Sequence, residues 1–389
     1  MWLNRDFLFV DILGVSAGSG SSCVGGIRVA VGTIGLEMLC NKDQACTDIV
    51  HIAYASDERY LKYVSVAIGS AFLWASDRSK LVVDVLALKV DDDAWAKWIE
   101  DIRRFLPSDC RIVRHDIGDE RLGAWLRSWH GSLATYGRLL LPEILGDVDW
   151  CVYADADTLF TDDPLKLRDV YDPSSSIMGH VYTPEPLDQK REWLGSRGLP
   201  FVPESYFCAG FVLINLNYFR EHELGQRAFN LLKQYPDMPL PDQDALNVLC
   251  GTTAKALPTE WGCFGNEAFV EGRPGAIHYP SHNPWTFLDN IYPDYVDACN
   301  IWHRYARFIF GRGYAYYSGK KCCFKYIRMR ILGWVGRTLR TMCAALNCWR
   351  IPFIGRYVRR HYASRKVWRS MLECMRQRSD WQVQSSAVE

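Results

Sequence analysis

Residues 151–164 read CVYADADTLFTDDP. Two carboxylates, Asp155 and Asp157, stand two positions apart where an apolar run stops. Side chains at i and i+2 of an extended segment point the same way, so both acids project together from the end of a strand. Like charges held that close either share a proton or share a cation. Mg²⁺ and Mn²⁺ prefer oxygen ligands and accept those of a phosphate, which makes a metal–diphosphate site one explanation. An acidic turn closing a strand is the other, because Asp favours turns on its own account.

Working outward, the chain alternates strand-like and helix-like pieces. DIVHIAYA (48–55), LVVDVLAL (81–88) and RIVRHDI (111–117) are apolar runs fit for strands. Between them, residues 60–75 carry Leu61, Val64, Ile68 and Phe72 at helical spacing, and DDDAWAKWIEDIRRFL (91–106) is amphipathic. SLATYGRLLLPEIL (132–145) reads as a helix and DWCVYAD (149–155) as the next strand; SIMGHVY (176–182), FVLINL (211–216) and AIHYP (276–280) follow as later strands. This alternation predicts an α/β fold with a mostly parallel central sheet. In such sheets ligands bind beyond the carboxyl ends of the strands, where Asp155 and Asp157 would lie.

The 389 residues carry 45 Lys+Arg and 45 Asp+Glu, so the formal charge is zero. That total hides an asymmetry. Residues 301–389 hold 19 basic against 3 acidic residues, leaving 26 against 42 in the first 300. Fourteen cysteines without repeated spacing, no CxxC pair and no secretory leader predict reduced thiols in a cytosolic protein. No run of 18 uncharged apolar residues is present, which argues against a spanning helix. The expected organisation is a poorly defined extension at 1–47, a catalytic domain at 48–300 and a basic helical tail at 301–389. The Gly/Ser-rich AGSGSSCVGG (17–26) completes neither a GxxxxGK[ST] nor a GxGxxG phosphate loop.

Six blocks in order resemble those of the retaining glycosyltransferases of family 8, and in particular its bacterial lipopolysaccharide and lipooligosaccharide galactosyl- and glucosyltransferases. They are AYASDERY (53–60), TYGRLLLPEIL (135–145), the DAD of 155–157, FCAGFVLINL (207–216), PDQDALN (241–247) and HYPSHNPW (278–285). The resemblance implies the GT-A fold, a Rossmann-like nucleotide-diphospho-sugar transferase. It also implies a UDP-galactose or UDP-glucose donor and an oligosaccharide or glycolipid acceptor. Asp155, Asp157 and His278 would hold Mn²⁺ or Mg²⁺ against the donor diphosphate. Ala53, Asp57 and Tyr60 would contact uracil and ribose, although Asp57 is equally placed to cap a helix. Arg138 would reach the donor sugar or the first carboxylate of the pair. Asp242 would bind sugar hydroxyls and Gln243 would lie near the anomeric carbon, while Asp244 suits a helix cap.

Two positions depart from the family's pattern. Cys208 stands where an Asn is usual, and Asn283 where a Lys would neutralise the β-phosphate; the block around Asn283 is one residue shorter, with His282 as a partial substitute. The basic tail mixes cations with Val358, Tyr362, Trp368, Met371, Leu372 and Met375 at helical spacing. That pattern suits an anionic bilayer interface and predicts a cytoplasmic enzyme peripheral to the inner face of the membrane. A basic helix packed on the acidic body is the other reading of that tail. No nucleic-acid signature accompanies the cations. Two alternatives compete. One is a haloacid-dehalogenase-type phosphatase, whose strand-end DxDx[TV] is broken here by Leu159. The other is an inactive UDP-binding relative at the membrane surface, suggested by Cys208 and Asn283.

Overall fold

The computed structural model describes residues 48–118, 121–129, 131–182, 187–265, 267–269, 273–280, 283–286 and 296–310, with 342, 365–370 and 372–373 beyond them. The extension at 1–47, His282 and most of the basic tail, including Val358, Tyr362, Met371 and Met375, lie outside the described residues.

The strands are β1 Val50–Asp57, β2 Leu81–Leu88, β3 Arg111–Ile117, β4 Trp150–Ala154, β5 Thr158–Phe160, β6 Ile177–Val181, β7 Phe207–Asn215, β8 Lys255–Ala256, β9 Cys263–Phe264 and β10 Ala276–His278. The helices are α1 Glu58–Trp74, α2 Asp92–Arg103, α3 Leu141–Ile144, α4 Leu167–Val170, α5 Asp188–Gly195, α6 Leu216–Glu221, α7 Leu224–Gln234, α8 Pro241–Cys250 and α9 Val296–Phe310. Seven strands form the main sheet in the order β3-β2-β1-β4-β7-β6-β8, and β5, β10 and β9 form a small second sheet. Only β7 runs against its neighbours in the main sheet, so the expected mostly parallel α/β architecture holds.

Local chemistry explains the boundaries. Asp57 ends β1 and caps α1 by accepting from the Arg59 backbone N–H at 3.1 Å. Asp91 does the same for α2, through Ala94 N–H at 2.7 Å, with Asp92 and Asp93 in the first turn facing the helix dipole. The segment expected as one helix at 132–145 differs: Ala134–Leu140 is a 3₁₀ stretch, and only Leu141–Ile144 is α-helical. Pro142 has no N–H to return to the Arg138 carbonyl, so an α-helix cannot run through from 138 to 142.

Alternate residues of the central strands feed two cores. Ile52, Tyr54, Val83 and Val85 pack with α1, α2 and α9 on one face, whereas Ala53, Ala55, Leu86 and Tyr153 pack with Leu139, Leu224 and Ala245 on the other. On this second face a polar bridge crosses three strands. The Asp84 carboxylate of β2 meets His51 Nδ1 of β1 and His115 Nε2 of β3, each at 2.8 Å. Burial alone would push Asp84 up; the hydrogen bonds from His115 and His51 outweigh it and hold the carboxyl below its usual range.

The expected boundary at residue 300 falls inside α9. Trp302 and Tyr305, which follow it, are 1% and 0% exposed. Farther along, Val367 is buried in the same core and Trp368 and Leu372 pack against it, with the Arg304 guanidinium 5.0 Å from the Trp368 ring centre. Arg365, Lys366 and Arg369 on that short helical piece are exposed. No described helix is long and apolar enough to cross a membrane.

Candidate active site

The chain passes from β4 of the main sheet to β5 of the small one across residues 155–157, and this crossing makes the site. Pairing between β4 and β7 ends at Ala154 and Phe211. Asp155 N–H then donates to the Gly210 carbonyl at 2.8 Å, and the chain turns through Ala156 before β5 begins at Thr158. β5 pairs antiparallel with β10, setting His278 opposite Thr158. A backbone bond from Tyr279 N–H to the Asp157 carbonyl, 3.0 Å, fixes the register. The imidazole from far along the chain is thereby laid against both acids: His278 Nε2 is 3.5 Å from Asp157 Oδ1 and 4.0 Å from Asp155 Oδ2.

These three side chains each offer one ligand atom, all within 4.8 Å of one another, and they are the only such group among the described residues. The space they face is kept open by Gly210. A Cβ there would lie 2.2 Å from His278 Cε1 and 2.6 Å from Asp155 Oδ2. Two carboxylates and an imidazole with room between them fit a divalent cation, and that mixed donor set suits Mn²⁺ better than Mg²⁺.

Charge at the site is balanced by Arg138, whose side chain is 3% exposed. Its Nη2 lies 2.8 Å from Asp155 Oδ1 and its Nε 3.1 Å from Asp242 Oδ2, while Nη1 donates to the Ala209 carbonyl. Of the two roles expected for it, the geometry has it on the first carboxylate. Burial alone would lower the guanidinium, but Asp155 and Asp242 raise it, so Arg138 is a permanent cation. The Tyr153 hydroxyl donates to Asp155 Oδ1 at 3.0 Å. Asp155 sits at the foot of the cleft with 32% of its side chain toward the opening. Burial by the cleft walls, opposed by Arg138 and assisted by the Asp157 charge, pushes its carboxyl up to about 6. For His278 burial favours the neutral ring, yet the Cys208 sulfur and the Asp157 carboxylate outweigh it and raise the imidazole well above its usual value. Cys208 Sγ is 3.5 Å from His278 Nδ1, so the thiol supports the ring from behind.

Tyr60, Arg138, Asp155, Asp157, Cys208, Asp242, Gln243, His278 and Asn283 all line one cleft. Ala53 and Asp57 are not among its lining residues. Ala53 is fully buried in β1, and Ala55, two residues on, takes the lining position. The Asp57 carboxylate is engaged by the cap and by Arg59 Nη2 at 2.8 Å. Asp244 is not an N-terminal cap of α8: it is fully buried and engaged by Tyr206 and Lys190, with Leu240 N–H on its second oxygen.

Sequence reasoning assigned no role to Trp129, Tyr182, Gly210 or Trp285, which also line the cleft. Trp285 stacks on Tyr63 at 3.9 Å and meets Tyr60 edge-on at 6.2 Å. This makes Tyr60 part of an aromatic wall. The signal for Trp285 was present in the HYPSHNPW block, and that for Gly210 in FCAG.

A family model described as Glycosyl transferase family 8 matches residues 51–287. A Haemophilus influenzae protein bearing a glycosyltransferase name is 26% identical over 214 residues, covering 54% of this chain and 61% of that protein. A lipopolysaccharide 1,3-galactosyltransferase of Salmonella typhimurium is 26% identical over 217 residues, with the same coverage of both. The chain thus spans about three-fifths of the length of these curated relatives. A crystal structure of the galactosyltransferase LgtC in complex with donor and acceptor sugar analogs superposes with a TM-score of 0.55 at 22% identity, covering 71% of this chain and 100% of that one. Likeness at that identity speaks for the GT-A fold. The phosphatase alternative finds no support in these matches.

Proposed function

The chain belongs to glycosyl transferase family 8, and from that premise we propose that it is a metal-dependent retaining hexosyltransferase. It would move galactose or glucose from a UDP-sugar to a saccharide acceptor, lipopolysaccharide core or a similar glycolipid, at the anionic inner face of the cytoplasmic membrane. The observation that carries this reading is the convergence of Asp155, Asp157 and His278 across the β5–β10 pairing.

Asp155, Asp157 and His278 would hold Mn²⁺ or Mg²⁺, which when bound offsets the charge of the donor diphosphate and of the leaving UDP. Tyr60, backed by Trp285, offers an aromatic face to the uracil. Arg138, clamped between Asp155 and Asp242, fixes both carboxylates so that Asp242 can accept from sugar hydroxyls without rotating away. Double displacement needs a carboxylate close beneath the anomeric carbon. On this reading the group beneath that carbon is the Gln243 amide of the cleft lining, a poor nucleophile, and Asp244 beside it is fully buried and engaged. A front-face displacement therefore suits this chain, with the leaving phosphate taking the proton of the acceptor hydroxyl. Cys208 removes an amide from the sugar pocket but keeps a contact to His278.

The test is UDP release from UDP-galactose and UDP-glucose with Mn²⁺. We expect turnover with at least one donor, and its loss in Asp157→Ala together with loss of metal-dependent UDP binding. A wild-type protein that binds UDP but never releases it from a sugar donor would instead be the inactive relative. Turnover unchanged in Asp157→Ala would remove the metal assignment.

A further inference from the structure

Gln243 is held at both ends of its carboxamide, and the polarity of each contact follows from one that cannot be reversed. The Ala209 backbone N–H can only donate, so the atom 3.1 Å from it is the carboxamide oxygen Oε1. Nε2 then faces the Tyr206 hydroxyl at 3.2 Å. An amide NH₂ can only donate, so the hydroxyl accepts there and its own proton points to Asp244 Oδ1. The other oxygen of Asp244 accepts from Leu240 N–H and from Lys190 Nζ, each at 2.8 Å. Asp244 is completely buried, and Lys190, 15% exposed, supplies its counter-charge. The Tyr182 hydroxyl meets the same Gln243 amide and the Cys208 thiol. With Nε2 committed to tyrosines, the group left for the cleft is the second lone pair of the carbonyl oxygen.

This chain of contacts matters because a carboxamide alone has no preferred side. The terminal torsion of Gln is broad and nearly two-fold, so an unclamped amide would present NH₂ about as readily as oxygen. An oxygen turned to the anomeric carbon meets positive charge developing there; an NH₂ group opposes it. We propose that Tyr206 and Lys190, acting through the buried Asp244, are positioning residues that lock Gln243 in the orientation the Ala209 N–H admits, with its oxygen toward the donor. None of Tyr206, Lys190 and Asp244 lines the cleft, and the cleft side chain they hydrogen-bond is Gln243. The inference rests on the reading of Gln243 as lying beneath the transferred sugar.

The experiment uses two readouts on the full chain. In Tyr206→Phe, which keeps the ring, and in Lys190→Met, kcat for UDP release falls about 10²-fold, the scale of a misplaced reacting group. Affinity for UDP with Mn²⁺ stays as in the wild type, and Lys190→Arg restores kcat. A merely structural role would lower thermal stability and UDP affinity in step with kcat. The second readout needs no turnover. In protein labelled with [¹⁵N]glutamine, the Gln243 side-chain NH₂ pair, assigned by its loss in Gln243→Leu, exchanges slowly with water in the wild type and rapidly in both variants. Slow exchange retained in both variants overturns the proposal, as does rapid exchange with kcat unchanged. A wild-type protein that shows the protected amide, and its loss in the variants, but no UDP release upholds the clamp while refuting the transferase reading.

Discussion

Position 210 shows how closely the cleft is fitted. A methyl group there would press on both the His278 ring and the Asp155 carboxylate, and neither can retreat, one being paired with Cys208 and the other with Arg138. Gly210→Ala should therefore lower Mn²⁺ affinity by about a hundredfold or more while the far-ultraviolet circular dichroism stays that of the wild type; manganese paramagnetic resonance measures the first. Metal binding should also depend on pH in a stated direction. The Cys208 sulfur and Asp157 hold the His278 imidazole well above its usual value, and a ligating imidazole must lose its proton. Affinity should therefore rise with pH. Below about 6, where Asp155 also takes a proton, it falls more steeply. A flat profile between pH 5.5 and 8, on the order of two units, would count against His278 as a ligand.

At the level of elements, the long strands were legible because their apolar runs are continuous: β2 is buried at every one of its residues. Of the second sheet only β10 was legible, inside the AIHYP run. β5 has three residues and β9 two, too short for any period to register, although His278 itself also stood out through its motif. The 3₁₀ course of Ala134–Leu140 escaped because helical spacing over seven residues does not separate i→i+3 from i→i+4 bonding. Lys190 could not be read as a partner of Asp244 at all, since 54 residues separate them and burial alone gives the pair its meaning. The His51–Asp84–His115 bridge is a similar case, and it has a measurable worth. Asp84→Asn should cost about 2–3 kcal/mol in urea unfolding at neutral pH, because the carboxylate accepts from both rings. Its carboxyl is held below the unfolded value. The stabilisation is therefore complete above about pH 4 and lost as pH falls further, and the variant should lack that part of the acid dependence.

The whole chain joins an acidic body to a basic tail, and the described part of that tail turns its apolar side inward. Val367, Trp368 and Leu372 rest on the core that also holds Trp302 and Tyr305. A chain ended after residue 300 loses both of these large aromatics, each worth about 3–5 kcal/mol, and should show no cooperative thermal transition. The outward cations Arg365, Lys366 and Arg369 are free to meet anionic lipid without insertion of Trp368. Replacing all three by Gln should weaken binding to phosphatidylserine vesicles about a hundredfold and leave Tm unchanged; equal binding would exclude this face. The pairing of Thr158 with His278 spans 120 positions of the chain, which carries a consequence for biosynthesis. On the ribosome the acids of the β4–β5 turn emerge well before the imidazole that faces them. A nascent chain thus cannot assemble this trio of side chains until β10 has been translated and paired with β5.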